Sequence, residues 1–307
     1  MGRLYAIADL HLSWDLNRQE LAKLDYCPDD SLILAGDLGE KAEHLEVAFE
    51  VATKRFKTVY WVPGNHELYS VASGDDNNPT PRGVKKYEEC VEVARRYGVL
   101  TPEDEFAVHD GGEGGPVLIC LLFTLYDYTF APPPHDESPQ TALAWAEEVG
   151  TVATDEVLLH ADPYDHKVEW GLARQVISRQ RLEEAKKKHP DLPLVLVNHW
   201  PLRRDLIYIP LAPRFEIWCG SVQTEAWHRE FGAKVVVTGH LHVPRTDWRD
   251  GCRFEEVSLG YPRQWQGPRD RGLDINMLMR EIWPGEAERK GNVPLEDSTM
   301  PKWRRNG

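Results

Sequence analysis

Short apolar runs alternate with longer amphipathic stretches along most of the chain. Leu4 to Ala8, Ser31 to Ala35 and Thr58 to Val62 read as buried strands, being too short for stable helices and closed by polar or glycine residues. Between the second and third, Ala42 to Phe56 places Leu45, Ala48, Phe49 and Ala52 at helical spacing on one face. Val84 to Tyr97 repeats that period, and Gly98 follows where a helix end favours glycine. Phe106 to Val108 and Val117 to Phe123 predict strands around the turn-rich Asp110-Gly111-Gly112-Glu113-Gly114-Gly115. Trp170 to Lys188 predicts a long helix that stops near Pro190. Leu194 to Val197 is a strand, Glu225 to Phe231 a short helix, Lys234 to Thr238 a strand, and Phe254 to Leu259 closes the pattern as a last apolar run. Strands alternating with helices at about the length of a βαβ unit predict an α/β fold. In such sheets, ligands sit beyond the carboxyl ends of the strands.

Two segments break the rhythm. Residues 124 to about 165 carry Pro132-Pro133-Pro134, several aromatics and many acids, and are expected to form a cap or lid inserted into a domain spanning 1–265. Residues 266–307 are polar and rich in proline, glycine and charge, and are expected to pack on the surface or to be partly disordered.

Composition narrows the class. With 307 residues, 41% hydrophobic and 28% charged, the chain suits an ordinary globular protein. Its formal net charge of −14 argues against a nucleic-acid partner, because gripping a phosphate backbone needs clustered Lys and Arg. It leaves room for a small phosphorylated substrate, since bound cations reverse the sign locally. No apolar run approaches the roughly 18 residues of a membrane span, so no membrane association is expected. The N-terminus turns acidic at Asp9, too soon for a secretory signal. Five cysteines without CxxC spacing point away from a disulfide framework and towards a reducing cytoplasm.

The candidate chemistry lies where the strands end. The successive apolar runs give way to Asp9-Leu10-His11, Gly36-Asp37, Gly64-Asn65-His66-Glu67, Asn198-His199 and Gly239-His240-Leu241-His242. Carboxylate, imidazole and amide oxygen are donors that Mn, Fe and Zn accept. Asp-x-His and His-x-His suit a strand end, where residues i and i+2 point the same way. The glycines allow sharp turns and close approach. Any one block occurs often by chance, as a turn or a hydrogen-bonded histidine. Five in order, each at a strand end, point to more than one metal ion, and a pair of ions can clamp both oxygens of an in-line displacement at phosphorus.

This order of blocks resembles the calcineurin-like metallophosphoesterase superfamily over residues 9 to 242. The resemblance implies a four-layer αββα sandwich around a dinuclear centre. It assigns Asp9, His11 and His242 to one metal, Asn65, His199 and His240 to the other, and Asp37 to the bridge between them. It makes His66 the histidine beside the substrate, acting on phosphoryl or leaving-group oxygen, and gives Glu67 and Asn198 no ligand role. The implied reaction is hydrolysis of a phosphate ester of a small metabolite, nucleotide or cofactor by a hydroxide that bridges two Mn, Fe or Zn ions. Alternatives within the superfamily are phosphodiesterases acting on cyclic nucleotides or on phosphopantetheine. From a different class comes a non-catalytic scaffold of the same fold, which the complete ligand set and His66 disfavour.

Arg203 and Arg204 follow His199 and could pair with a phosphate, although a solvated basic pair explains them equally well. Tyr126 and Tyr128 in the insert are expected to face the metals as one wall of the pocket. Arg263, in the segment Tyr261-Pro262-Arg263-Gln264-Trp265, is expected to return to the rim.

Overall fold

The computed structural model describes residues 2–71, 80–285, 289–291, 294, 296–298 and 302–303. Its strands are β1 (Leu4–Ile7), β2 (Cys27–Leu34), β3 (Phe56–Trp61), β4 (Ala107–His109), β5 (Val117–Leu121), β6 (Leu194–Val197), β7 (Ala233–Thr238), β8 (Arg245–Arg249), β9 (Cys252–Glu256), β10 (Arg280–Trp283) and β11 (Lys302–Trp303). The helices are α1 (Asp15–Leu21), α2 (Ala42–Thr53), α3 (Asn65–Leu68), α4 (Gly83–Arg96), α5 (Pro139–Glu147), α6 (Asp155–Leu158), α7 (Lys167–Lys188), α8 (Trp227–Glu230), α9 (Gln266–Asp270) and α10 (Ile275–Leu278).

Two sheets result. One has the order β10-β1-β2-β3, the other β11-β8-β9-β7-β6-β5-β4. β1, β2 and β3 run parallel, as do β5, β6, β7 and β9. The period-two alternation of side chains decides how the sheets stack. Ala6, Ile33 and Tyr60 of one sheet pack with Ile119, Val195, Val197, Val235 and Val237 of the other in a core between the sheets. Their neighbours Ile7, Leu32, Leu34, Val59 and Trp61 face outward, onto Leu45, Ala48 and Phe49 of α2 and Tyr87 and Val91 of α4. On the opposite side Leu118, Cys120, Leu194, Leu196 and Val236 meet Leu182 of α7 and Trp227 of α8. The fold is therefore the four-layer helix–sheet–sheet–helix sandwich. Each buried aliphatic side chain contributes about 1.5–3 kcal/mol relative to exposure.

Several boundaries move from the expected ones. α2 stops at Thr53, because Phe56 already opens β3. α7 starts at Lys167, where His166 Nδ1 accepts the Val168 N–H. The apolar run after Phe254 is the partner of an unexpected charged strand, β8, joined to β9 as an antiparallel hairpin. Beyond residue 265 the chain adds helices α9 and α10 and then β10, which pairs antiparallel with β1 and buries Ile282 completely. That stretch is thus built into the first sheet rather than laid on the surface; much of the expected tail after 285 lies outside the described residues. Residues 124–165 contain α5, α6 and connecting turns. They attach beside α3 through a bridge between Tyr69 and Leu159 and a Ser70 N–H to Leu158 carbonyl bond of 2.9 Å.

Candidate metal centre

The two sheets come together at the carboxyl end of β1. Ala8 donates to the Val257 carbonyl at 3.0 Å and accepts from the Leu259 N–H at 2.8 Å, while Asp9 N–H bonds the Gly36 carbonyl at 2.9 Å. Loops leaving β1, β2, β3, β6 and β7 converge at this seam, and each carries one of the candidate blocks. Asp9, His11, Asp37 and His242 offer donor atoms within 4.8 Å of one another, and so do Asp37, His199 and His240. Asp37 belongs to both groups, as a bridging carboxylate must. Asn65 joins the second group through Oδ1, which lies 3.2 Å from His240 Nδ1.

Three observations test whether this cluster suits metal. Asp9, His11, Asp37, His240 and His242 all have positive φ, between 41° and 72°, a region that non-glycine residues rarely occupy and that costs of order 1–3 kcal/mol each. His11 Nδ1, His199 Nε2 and His240 Nε2 are buried without a hydrogen-bond partner, which is costly unless something else satisfies them. The glycines leave no slack: a Cβ on Gly64 would collide with Asp37 Oδ1, and one on Gly239 with Asp9 Oδ2. The donor set is mixed imidazole and carboxylate, as first-row divalent metals prefer. The residues fit a pair of cations.

Electrostatics agree. Burial pushes Asp9 upward, but the charge and hydrogen bond of His242 outweigh it and hold its pKa at about 2. Burial likewise opposes ionisation of Asp37, and the His199 and His66 charges override it, leaving the carboxyl well below its usual range. Burial and the neighbouring His66 charge lower His11 to about 3; burial and His199 do the same to His240. Against its own burial, His199 is raised to about 10 by Asp37, and His242 is raised by Asp9. Without cations, His199 and His242 thus hold a proton more tightly than a free imidazole does, opposite Asp37 and Asp9.

The surroundings orient the donors. His199 Nδ1 donates to the Ala35 carbonyl at 2.9 Å, turning Nε2 towards Asp37. His242 Nδ1 bonds Gln264 Oε1 at 2.8 Å, and Ser258 Oγ donates to Asp9 Oδ2 at 2.6 Å. Glu67 is wholly buried; it accepts the N–H groups of Asp37 at 2.9 Å, Leu38 at 2.6 Å and Gly64 at 2.8 Å, tying the β2 and β3 loops together. Asn198 similarly joins Thr124 N–H to the Trp200 carbonyl. Such outer partners fix ligand geometry.

His66 stands beside these residues. Its Nδ1 lies 2.9 Å from Glu40 Oε1 and its Nε2 lies 3.9 Å from Asp37 Oδ2. Burial disfavours its charge, yet Asp37 and Glu40 raise it to about 9. The Glu40 contact places the Nδ1 proton on the carboxylate side and aims Nε2 into the site. Sequence reasoning missed Glu40, although Gly-Asp-x-x-Glu was legible in residues 36–40. It also missed Tyr261 as a site residue. That ring stacks on His11 at 4.3 Å, and its hydroxyl lies 3.5 Å from His66 Nε2.

The structure does not bring all expected substrate contacts to this cluster. Tyr126 and Tyr128 are 0% and 1% exposed, so they form no open wall; Tyr128 instead donates to Glu156 Oε1 at 2.8 Å. Arg203 is held by Asp205 at 2.8 Å and Arg204 by Glu216 at 3.1 Å, which consumes their charges locally. Arg263, two residues after Tyr261, is exposed. Phe215 and Trp14 line the surroundings instead: Phe215 stacks over His240 at 6.0 Å, and Trp14, 52% exposed, sits edge-on to Tyr261 at 6.3 Å.

Fold and site together define a metal-binding phosphoesterase, and residues 2–244 match the family model described as calcineurin-like phosphoesterase. The chain belongs to that family and is a phosphoric ester hydrolase. Among curated proteins it is similar to the [acyl-carrier-protein] phosphodiesterase PptH of Mycobacterium tuberculosis, with 41% identity over 268 residues, 86% of this chain and 79% of that protein. The crystal structure of the phosphopantetheinyl hydrolase PptH from Mycobacterium tuberculosis superposes with a TM-score of 0.83 at 39% identity, covering 93% of this chain and 97% of that one. Among the described residues, no helix is long and apolar enough to cross a membrane.

Proposed function

We propose that this enzyme cleaves the phosphodiester joining a phosphopantetheine arm to a carrier protein. The observation that carries the chemistry is the convergence of Asp9, His11, Asp37, Asn65, His199, His240 and His242 around a shared carboxylate, with the Glu40–His66 pair beside it. Support for the substrate comes from the likeness to PptH across most of both chains. When bound, two divalent ions supply Lewis acidity and an activated water; Mn, Fe and Zn all suit these donors. The chain's own residues do the rest. Asp37 holds the two halves of the centre at a fixed separation. Glu40 keeps the His66 imidazole turned so that Nε2 faces the reacting phosphoryl group, where it donates a proton to the leaving oxygen or a hydrogen bond to a phosphoryl oxygen. Tyr261, packed on His11, closes that side of the site and offers its hydroxyl to the same oxygens. Phe215 and the exposed Trp14 form apolar surfaces on which a flexible pantetheine arm can rest.

The proposed carrier-protein substrate supports a cytoplasmic setting for the reaction. Five free thiols among the described residues accord with a reducing compartment. The test is a panel in which metal-loaded enzyme meets a phosphopantetheinylated carrier protein, bis-p-nitrophenyl phosphate, p-nitrophenyl phosphate and a cyclic nucleotide. The carrier substrate should have the highest kcat/KM. Faster turnover of the monoester or the cyclic nucleotide would overturn the substrate assignment.

A further inference from the structure

Asn65 contributes to the centre through one end of an amide whose two ends have almost the same shape. Its Oδ1 faces His240, and something must keep the NH2 group from turning in. Behind Asn65 the Nδ2 atom donates to Asp155 Oδ1 at 3.0 Å and to the Tyr69 hydroxyl at 2.9 Å. The Tyr69 hydroxyl in turn donates to the same Asp155 oxygen at 2.6 Å. Asp155 opens α6, within the segment read as an insert, and is only 2% exposed.

A buried carboxylate is costly and is retained where it is needed. Lys167 does not neutralise this one; it bonds the Asp155 backbone carbonyl at 3.0 Å and the Glu156 carboxylate at 2.9 Å. The Asp155 side chain meets the Asn65 amide and the Tyr69 hydroxyl, with the Tyr126 hydroxyl close by. Asp155 Oδ1 accepts from both the Asn65 NH2 and the Tyr69 hydroxyl, so an amide oxygen turned to that side finds no donor, and Tyr69, whose O–H points at Asp155, can only accept from the same NH2. The triangle permits one orientation of the amide.

We propose that Asp155 is a positioning residue for the metal centre: it sets Asn65 Oδ1 towards the site shared with His199 and His240. The insert would then complete the catalytic centre from behind. The inference rests on Asn65 being a metal ligand, and it assigns to Asp155 no contact with substrate.

The test is Asp155→Asn, which preserves shape but can donate as well as accept, so both orientations of Asn65 become satisfied. Metal-free wild type and variant are titrated with Mn²⁺ by calorimetry. Wild type should take up two equivalents. In D155N one equivalent should bind as before and the other about 10- to 100-fold more weakly, the usual effect of losing an outer partner of a ligand. Raising Mn²⁺ should then restore the rate, which a general structural defect would not allow. Tyr69→Phe keeps the Asp155–Asn65 bond and should weaken the same equivalent by a smaller factor. It serves as the measurement if D155N does not fold, and an unchanged second equivalent in it would then overturn the proposal. Normal uptake of both equivalents by folded D155N would overturn the role of Asp155 while leaving the dinuclear reading intact. Uptake of a single equivalent by wild type would defeat both.

Discussion

Replacing Glu67 by Gln removes one negative oxygen from a position where three backbone N–H groups converge. Oε2 accepts from Asp37 at 2.9 Å and Gly64 at 2.8 Å, and Oε1 accepts from Leu38 at 2.6 Å. The best a glutamine can do is keep its oxygen at the two-bond position and present NH2 to the Leu38 N–H. One charge-assisted bond, worth about 1.5–3 kcal/mol, is lost outright, and a buried donor is left facing another donor at about 1–3 kcal/mol. Relief of the buried charge offsets part of this, since burial and Asp37 raise the Glu67 carboxyl to about 7 even against its backbone donors. A net loss of about 2–4 kcal/mol remains. With an unfolding entropy of about 2 cal/mol/K per residue over 307 residues, that lowers Tm by about 3–6 °C. The assay is thermal unfolding of wild type and E67Q by circular dichroism, both in chelator, so that metal plays no part. Because Glu67 also ties the loop of Asp37 to that of Asn65, E67Q should hold metal less tightly as well. A Tm within about 1 °C of wild type, together with full metal content, would show that the Glu67 carboxylate does not hold these loops together.

Asp37→Asn should lose metal as well as rate, by elemental analysis, because both halves of the centre share that carboxylate, whereas His66→Ala should keep both ions and lose about 10²–10⁴-fold in kcat, most for poor leaving groups. Loss of an ion from H66A would show that His66 is itself a ligand. Tyr128→Phe should cost about 1 kcal/mol of stability through its lost bond to Glu156 and leave turnover of large and small esters unchanged at a temperature where the enzyme stays folded; a KM effect confined to the carrier substrate would return this residue to the pocket. Metal uptake should release protons near neutral pH, because Asp37 holds His199 protonated up to about 10 and Asp9 raises His242 and both must be neutral to ligate. Affinity should therefore climb with pH through the neutral range and level off near 10, and calorimetry in buffers of different ionisation enthalpy reads the proton count; identical heats in all buffers would contradict the assigned protonation.

Much of the fold was legible because strands buried on both faces leave continuous apolar runs, as in Leu194–Val197 and Val235–Val237. The candidate ligands were legible for a related reason: each follows such a run directly, and so must lie at a strand end. β8 was not legible. Its sequence Arg245-Thr246-Asp247-Trp248-Arg249 has no apolar alternation, and it is buried by pairing Arg245 with Asp247 at 2.6 Å and Thr246 with Glu255 at 2.7 Å, contacts that no periodicity announces. β10 escaped because a four-residue edge strand amid polar sequence gives no signal of its partner β1. Asp155 escaped for a third reason. It lies 90 positions from Asn65 in sequence, and only tertiary packing joins them. Tyr126 and Tyr128 show the reverse error, since aromatics in an irregular segment suggest a binding wall until their burial is known.

Metal-dependent cleavage of a phosphopantetheine diester is read out by intact-protein mass spectrometry of the carrier. Phosphopantetheinylated carrier protein is incubated with the enzyme and Mn²⁺, and in parallel with excess chelator. The carrier should lose the mass of the whole phosphopantetheine arm, leaving an unmodified serine hydroxyl, in the Mn²⁺ sample alone. An intact carrier after prolonged incubation with enzyme shown to hold both ions would contradict this assignment, as would equal cleavage in chelator.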